Sequence, residues 1–224
     1  MAVKIPKPAK RILIVDDHPM MRTGLAQLIN NERDLKVIAE ADNAGQAIDL
    51  VAKQKFDLAL LDISLPDKNG LELIKDLLAL RPELTILVVS MHDEMLYAER
   101  VLRAGGRGYI MKQEGGQKFL AAIRQVLAGH LYVSGNLSSR ILEIFSGRQP
   151  EYASSPVAKL SDREFEVFQL IGRGVGTRAI SEQLHLSIKT VEAHRAHLKE
   201  KLGVKTAPDL VRYAVRWVDA HGQT

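Results

Sequence analysis

The chain has 224 residues, 46% hydrophobic and 26% charged, with no cysteine and a net charge of +4. This composition excludes a disordered or low-complexity chain, a disulfide framework, a thiolate metal site and a cysteine nucleophile. At ~100–200 residues per domain it holds one or two domains. No apolar run approaches the ~20 residues of a membrane span, and the basic first ten residues precede too short an apolar stretch for a signal peptide. A soluble, cytoplasmic protein is therefore expected. Charge is divided along the chain. Residues 11–130 carry 15 basic against 17 acidic residues, whereas residues 159–224 carry 11 basic against 8 acidic and four of the seven His.

Residues 12–15 (ILIV) form a continuous apolar run that stops at Asp16-Asp17; residues 58–61 (LALL) stop at Asp62, and residues 86–89 (ILVV) at Ser90. Continuous rather than alternating apolar residues predict strands buried on both faces, as in a parallel sheet. Residues 35–39 and 108–111 read as two further strands, the last ending at Lys112. Between the strands, residues 20–29, 44–53, 71–80, 94–103 and 117–127 repeat apolar positions at helical spacing. Five strands alternating with five helices predict an α/β domain, a doubly wound five-stranded parallel sheet, over residues 10–128. In such sheets ligands bind at the carboxyl ends of the strands, near the topological switch point. Asp16, Asp17, Asp62, Ser90 and Lys112 all fall at such ends.

From Gly129 onward Ser, Gly and Asn become frequent, a short apolar helix is expected at 141–145, and residues 146–158 contain Pro150 and Pro156. Residues 129–158 read as a partly helical linker. The remainder, 159–220, reads as a small all-α domain. Ser161-Asp162-Arg163-Glu164 fits a capping box. Thr177 is placed to cap a short helix over 178–184, Ser187 to cap a longer one reaching Leu202, and Gly203 to stop it. A fourth helix is expected over 208–218.

Three carboxylates at one sheet mouth repel one another unless a cation lies between them. Mg²⁺ suits such hard oxygen donors, and an Asp carboxylate beside it can act as a nucleophile toward a phosphoryl group. Lys112 and Ser90 are candidates to neutralise and position the phosphoryl oxygens. A lone Asp at a strand end is commonly a cap; a set at successive strand ends is a site. Tyr109 by itself reads as a core aromatic with its hydroxyl at the surface, and His18 as a rim residue without chemistry.

The ordered set Asp16-Asp17-His18-Pro19, Leu60-Leu61-Asp62-Ile63-Ser64-Leu65-Pro66, Gly70, Val89-Ser90 and Gly108-Tyr109-Ile110-Met111-Lys112 resembles the receiver domain of bacterial two-component response regulators. The resemblance implies that Asp62 is the phosphoacceptor, that Asp16, Asp17 and Asp62 bind Mg²⁺, and that Ser90 turns toward the phosphoryl group. It further implies that Tyr109 moves with Ser90, that Lys112 pairs with the phosphate, and that Ser64 lies where the family tunes dephosphorylation.

In the carboxyl-terminal part, two helices joined by a turn have the spacing of a helix-turn-helix. On the second, Val191, Leu198 and Leu202 share one face; Lys189, Glu192, Ala193, Ala196 and Lys199 lie largely opposite, where small and charged residues suit a major groove. An ordinary solvated bundle helix fits this pattern equally. Leu160-Ser161-Asp162-Arg163-Glu164, Ala179-Ile180-Ser181-Glu182-Gln183-Leu184, Ser187 through His194 and Lys201-Leu202-Gly203-Val204 resemble the LuxR-type helix-turn-helix. The full arrangement resembles the NarL/FixJ group of response regulators. Glu192, Ala193 and Ala196 match base-contacting positions of that group, and Lys189, Thr190, His194, Arg195 and Lys199 are phosphate or rim candidates. Two alanines and a Glu leave base reading open between a cytosine contact by Glu192 and recognition of DNA shape. The expected protein is a phosphorylation-switched DNA-binding transcription regulator and not an enzyme. Its expected partners are a sensor histidine kinase, double-stranded DNA and, through the last helix, a second copy. The alternatives are an aspartate-nucleophile phosphohydrolase and a DNA-binding protein whose receiver acts independently of phosphorylation.

Overall fold

The apolar runs become interior strands. All four residues of Leu58–Leu61 and the last four of Lys10–Val15 are buried, as expected of strands covered on both faces. The computed structural model describes residues 8–92, 94–135 and 156–221, and the chain divides into two units, Met1–Ser134 and Gly135–Thr224. In the first, β1 (Lys10–Val15), β2 (Leu35–Ala41), β3 (Leu58–Leu61), β4 (Thr85–Ser90) and β5 (Gly108–Met111) alternate with α1 (Pro19–Asn30), α2 (Ala44–Lys53), α3 (Gly70–Leu80), α4 (Glu94–Ala104) and α5 (Gly116–Leu127). The strands are parallel in the order β2-β1-β3-β4-β5, the doubly wound arrangement expected from sequence. Strand order reverses between β1 and β3, which places the switch point between Asp16 and Asp62.

One core cluster joins Ile12 and Ile14 of β1, Leu58 and Leu60 of β3, and Leu87 and Val89 of β4 to Phe119, Leu120, Ile123 and Val126 of α5. Two helix starts are fixed by side chains: Asn43 accepts from the Gln46 amide at the start of α2, and Asn69 from the Leu71 amide at the start of α3, each satisfying a donor the helix leaves open. Beyond α5 the chain turns back along β5. Tyr109 donates its amide to the Tyr132 carbonyl at 2.9 Å, and Tyr132 donates to Arg107 at 3.0 Å, so part of the sheet's open edge is paired.

The second unit is helical: a 3₁₀ turn, Pro156–Lys159, then α6 (Asp162–Gly172), α7 (Thr177–Gln183), α8 (Ile188–Leu202) and α9 (Ala207–His221). The expected helix at 141–145 lies outside the described residues. Ser161 and Glu164 form the capping box foreseen for α6, Ser187 caps α8, and Gly203 ends it in the left-handed region at φ 67°. Thr177 differs from expectation. It is the first helical residue of α7, Gly176 is the N-cap, and no side chain caps that end.

The core of this unit is aromatic: Trp217 of α9 meets Phe165 and Phe168 of α6 with ring centroids 5.6 and 5.5 Å apart. Gly172 permits this approach, since a Cβ there would meet the Ala214 carbonyl oxygen at 2.6 Å and collide with Val218 Cγ2. Gly172→Ala must push α6 from α9 and is expected to destabilise the unit by about 1–3 kcal/mol. A lowered urea midpoint with secondary structure retained in the native baseline is the check.

Candidate functional site: an acidic pocket and a helix-turn-helix

The residues after each central strand are held by the sheet's own hydrogen bonds. The Asp62 amide donates to Val15 (2.8 Å), the Asp16 amide to Ala41 (3.1 Å) and the Lys112 amide to Ser90 (2.8 Å). The ladder thus brings together side chains 46 and 50 positions apart in sequence. Asp16, Asp62 and Lys112 are buried, and the Lys112 Nζ lies 2.7 Å from both Asp16 Oδ2 and Asp62 Oδ2. Burial pushes the Asp62 carboxyl above its ordinary value, against the pull of Lys112. Burial works against the Lys112 charge, yet the ammonium is held above its ordinary value by Asp62 and Asp16.

Asp17 is more exposed and lies with its Oδ1 2.6 Å from His18 Nδ1; the same ring nitrogen is 3.1 Å from Asp16 Oδ1. His18, expected to have no chemistry, therefore stands at the pocket's rim against two of its carboxylates. Its place directly after two Asp was the available signal. Donor atoms of Asp16, Asp17, His18 and Asp62 lie within 4.8 Å of one another. Two buried carboxylates share one ammonium, Asp17 adds a third beside His18, and the oxygen-rich donor set fits a hard divalent cation.

A second hydrogen-bonded chain borders the pocket. Ser90 is fully buried and its Oγ accepts from the His92 amide at 3.2 Å. The ring of His92 reaches Ser64 Oγ at 2.8 Å, and its carbonyl accepts from the Tyr109 hydroxyl at 2.6 Å. Tyr109 is fully buried, so the surface hydroxyl of an ordinary core Tyr is not what the fold provides. Its hydroxyl ends in the loop that follows Ser90. His92 was not legible as the link among Ser64, Ser90 and Tyr109, because the segments after β3 and β4 and strand β5 itself, distant in sequence, meet there.

In the helical unit, α6 clamps both helices of the helix-turn-helix. Arg163 donates from Nη2 to the carbonyl of Leu184, at the end of α7, at 2.6 Å, and Nη1 pairs with Glu166. Buried Glu164 accepts from Lys201 of α8 at 2.6 Å. Burial works against the Glu164 charge, but the Lys201 and Ser161 hydrogen bonds hold its carboxyl below the ordinary value. Glu164 was legible only as a capping residue. On α8, Val191, Leu198 and Leu202 are buried, while Lys189, Glu192, Ala193 and Ala196 are exposed and Thr190, His194 and Lys199 are half-buried. Thr190 Oγ1 lies 2.8 Å from Ser187 Oγ, within the cap. The Arg195 side chain is only 15% exposed, with Nε 3.8 Å from Glu192 Oε1, so it lies along the helix and not out from it.

An acidic pocket at the switch point of a doubly wound sheet, joined in one chain to a helix-turn-helix unit, defines a response regulator. The family described as response regulator receiver domain matches residues 12–124, and that described as bacterial regulatory proteins, luxR family, matches residues 158–214. The oxygen regulatory protein NreC of Staphylococcus aureus (strain MRSA252) is 38% identical over 210 residues, spanning 92% of this chain and 97% of that protein. The RcsB response regulator of Salmonella typhimurium, in a structure described by its conformational dynamism for DNA interaction, superposes with a TM-score of 0.66 at 25% identity over 93% of this chain and 98% of that one. RcsB from Salmonella enterica serovar Typhimurium, bound to a promoter in the presence of the phosphomimetic BeF3−, gives a TM-score of 0.63 at 26% identity over 92% and 98%. The chain belongs to the two-component response regulators of the NarL/FixJ group, with a receiver and a LuxR-type DNA-binding domain, and is a transcription regulator. Among the described residues no helix is long and apolar enough to cross a membrane.

Proposed function

We propose that Asp62 accepts a phosphoryl group from a phosphohistidine of a sensor kinase, and that this event sets the DNA affinity of the carboxyl-terminal unit. The observation that carries this reading is the convergence of Asp16, Asp62 and Lys112 at the switch point, with one ammonium 2.7 Å from both buried carboxylates. A carboxylate oxygen of Asp62 attacks phosphorus, the P–N bond to imidazole breaks, and an acyl phosphate forms while the histidine leaves as neutral imidazole after taking up a proton. Mg²⁺ held by Asp16, Asp17 and Asp62 would neutralise charge on the entering phosphoryl group. Lys112 is already placed to pair with it. Ser90, released from the His92 amide, supplies a hydroxyl, and Tyr109, tied to the same loop, shifts with it. Such a charge change at a two-state element needs to bias it by only a few kcal/mol.

The receiver spans residues 10–128, a linker 129–158 and the DNA-binding domain 159–220, in a cytoplasmic protein. Lys189, Thr190, His194 and Lys199 support the phosphate contacts of α8, Arg195 being drawn along the helix toward Glu192, and Glu192, Ala193 and Ala196 face the bases. The exposed side of α9, with Val211 and Val215 beside Val204, supports a homodimer that grips two half-sites about one helical turn apart.

The test is intact mass after incubation with acetyl phosphate, with and without Mg²⁺, followed by gel filtration. One phosphoryl group that requires Mg²⁺, is absent in Asp62→Ala and accompanies a shift toward dimer is the expected result. No adduct under any condition overturns the phosphoryl switch and leaves a phosphorylation-independent DNA-binding protein. Catalytic turnover of excess phosphomonoester identifies a phosphohydrolase.

A further inference from the structure

The Thr177 hydroxyl, free of the capping role its position suggested, donates to Glu192 Oε1 across the helix-turn-helix at 3.0 Å. Arg195 Nε approaches the same oxygen at 3.8 Å. Both partners therefore engage Oε1, and among the described residues Oε2 accepts no hydrogen bond. Glu192 remains 56% exposed on the outer face of α8, flanked by exposed Ala193 and Ala196. Neither alanine carries a donor or acceptor in its side chain, and both are short enough for the helix backbone to approach a surface closely. The result is one fixed, half-satisfied carboxylate between two alanines, on a face that otherwise carries Lys189 and Lys199.

Resting on the reading of α8 as the helix that enters the major groove, we infer that Glu192 selects a cytosine in each half-site and that Thr177 is its positioning residue. A carboxylate brought to DNA is repelled by the phosphates at every sequence alike, so it gains a place only where a base edge offers it a donor. Guanine presents two acceptors in the major groove and thymine an acceptor with a methyl group. Adenine presents a donor beside the acceptor N7, which repels the second carboxylate oxygen. Cytosine presents its N4 amino group without a neighbouring acceptor of its own, and is the base an acceptor-only side chain is suited to read. With Oε1 held by Thr177, Oε2 is presented to that amino group with little rotamer freedom left to lose on binding.

The experiment is selection of bound duplexes from a random pool, using the full chain treated with acetyl phosphate and Mg²⁺, in five forms: wild type, Glu192→Gln, Glu192→Ala, Thr177→Val and Thr177→Ser. Wild type is expected to enrich a site with one invariant C·G pair per half-site. Glu192→Gln should move that position toward A·T, since an amide pairs with adenine N6 and N7. Glu192→Ala should lose roughly tenfold or more of the discrimination there while keeping the rest of the site. Thr177→Val should blunt the same position with folding unchanged, and Thr177→Ser should restore it, a pattern that loss of helix packing would not give. An enriched site left unchanged by Glu192→Ala overturns the inference while leaving α8 as the DNA-binding helix. Failure of wild type to enrich any sequence overturns both.

Discussion

Lys112→Met is expected to destabilise the receiver unit by about 3 kcal/mol at neutral pH without divalent cations, because removing one partner of a buried ion pair leaves charge uncompensated. The side chain is matched in length, so the effect isolates the ammonium, which lies 2.7 Å from two carboxylate oxygens. The pH dependence has a definite sign. The native state holds a proton on Asp62 more tightly than the unfolded chain does, since burial raises that carboxyl. Stability therefore falls as pH climbs from the ordinary carboxylate range through the raised value. Without Lys112 opposing the rise, that fall becomes steeper, and acidification should recover much of the lost stability. Lys112 itself is held above its ordinary value, so in wild type its contribution persists across neutral pH and is lost only in the alkaline range. Mg²⁺ should stabilise the variant more than wild type, because the Lys112 ammonium no longer occupies Asp16 and Asp62; each tenfold rise in concentration above saturation onset adds about 1.4 kcal/mol. Asp62→Asn should move the other way, gaining on the order of 0.5–2 kcal/mol as function is given up. Urea titrations at several pH values measure all three. A Lys112→Met protein as stable as wild type at neutral pH would show that the pocket's charges are not coupled as the distances imply.

The pocket was legible because its members end apolar runs. Asp16, Asp62 and Ser90 interrupt stretches too hydrophobic to be anything but interior strands, and parallel topology brings such ends together. Strand limits were less legible: β1 begins at Lys10 and Arg11, exposed residues whose backbone joins the ladder although their side chains leave no apolar trace. Contacts between side chains of elements distant in the chain were not legible at all. Thr177 has the residue type and position of a cap, and only the fold reveals that Glu192, fifteen residues on, offers its hydroxyl a competing acceptor. His92 likewise follows Ser90 in an unremarkable sequence, yet joins Ser64 and Tyr109 across the mouth of the sheet. Arg195 carried a charge suited to phosphate, but its nearness to Glu192 draws the side chain along α8.

The β3–α3 connection bears the second large effect. A Cβ on Gly70 would stand 2.5 Å from the Asp62 carbonyl oxygen, 2.6 Å from Ile63 Cα and 3.0 Å from Leu61 Cδ2. Two of these three obstacles are backbone, so no rotamer change relieves them. The Gly70 amide donates to the Ile63 carbonyl at 2.8 Å, and Asn69 caps α3 one residue earlier, which pins the glycine from both sides. Gly70→Ala must therefore move either the first turn of α3 or the segment carrying Asp62. The expected cost is about 3 kcal/mol, the upper end for overpacking. A displaced Asp62 should also accept phosphoryl from acetyl phosphate at least tenfold more slowly, since misplacement of a reacting group by about 1 Å can cost 100-fold. Gly24→Ala is the matched control. It lies within α1, nothing stands within 4 Å of its added Cβ, and it should gain roughly 0.5–1 kcal/mol from helix propensity. Opposite shifts in urea midpoint for the two variants, with slowed phosphorylation confined to Gly70→Ala, are the expected results. Equal stability for both would mean that the loop after Asp62 yields freely, and that the pocket's geometry is not set by the close approach of α3 to β3.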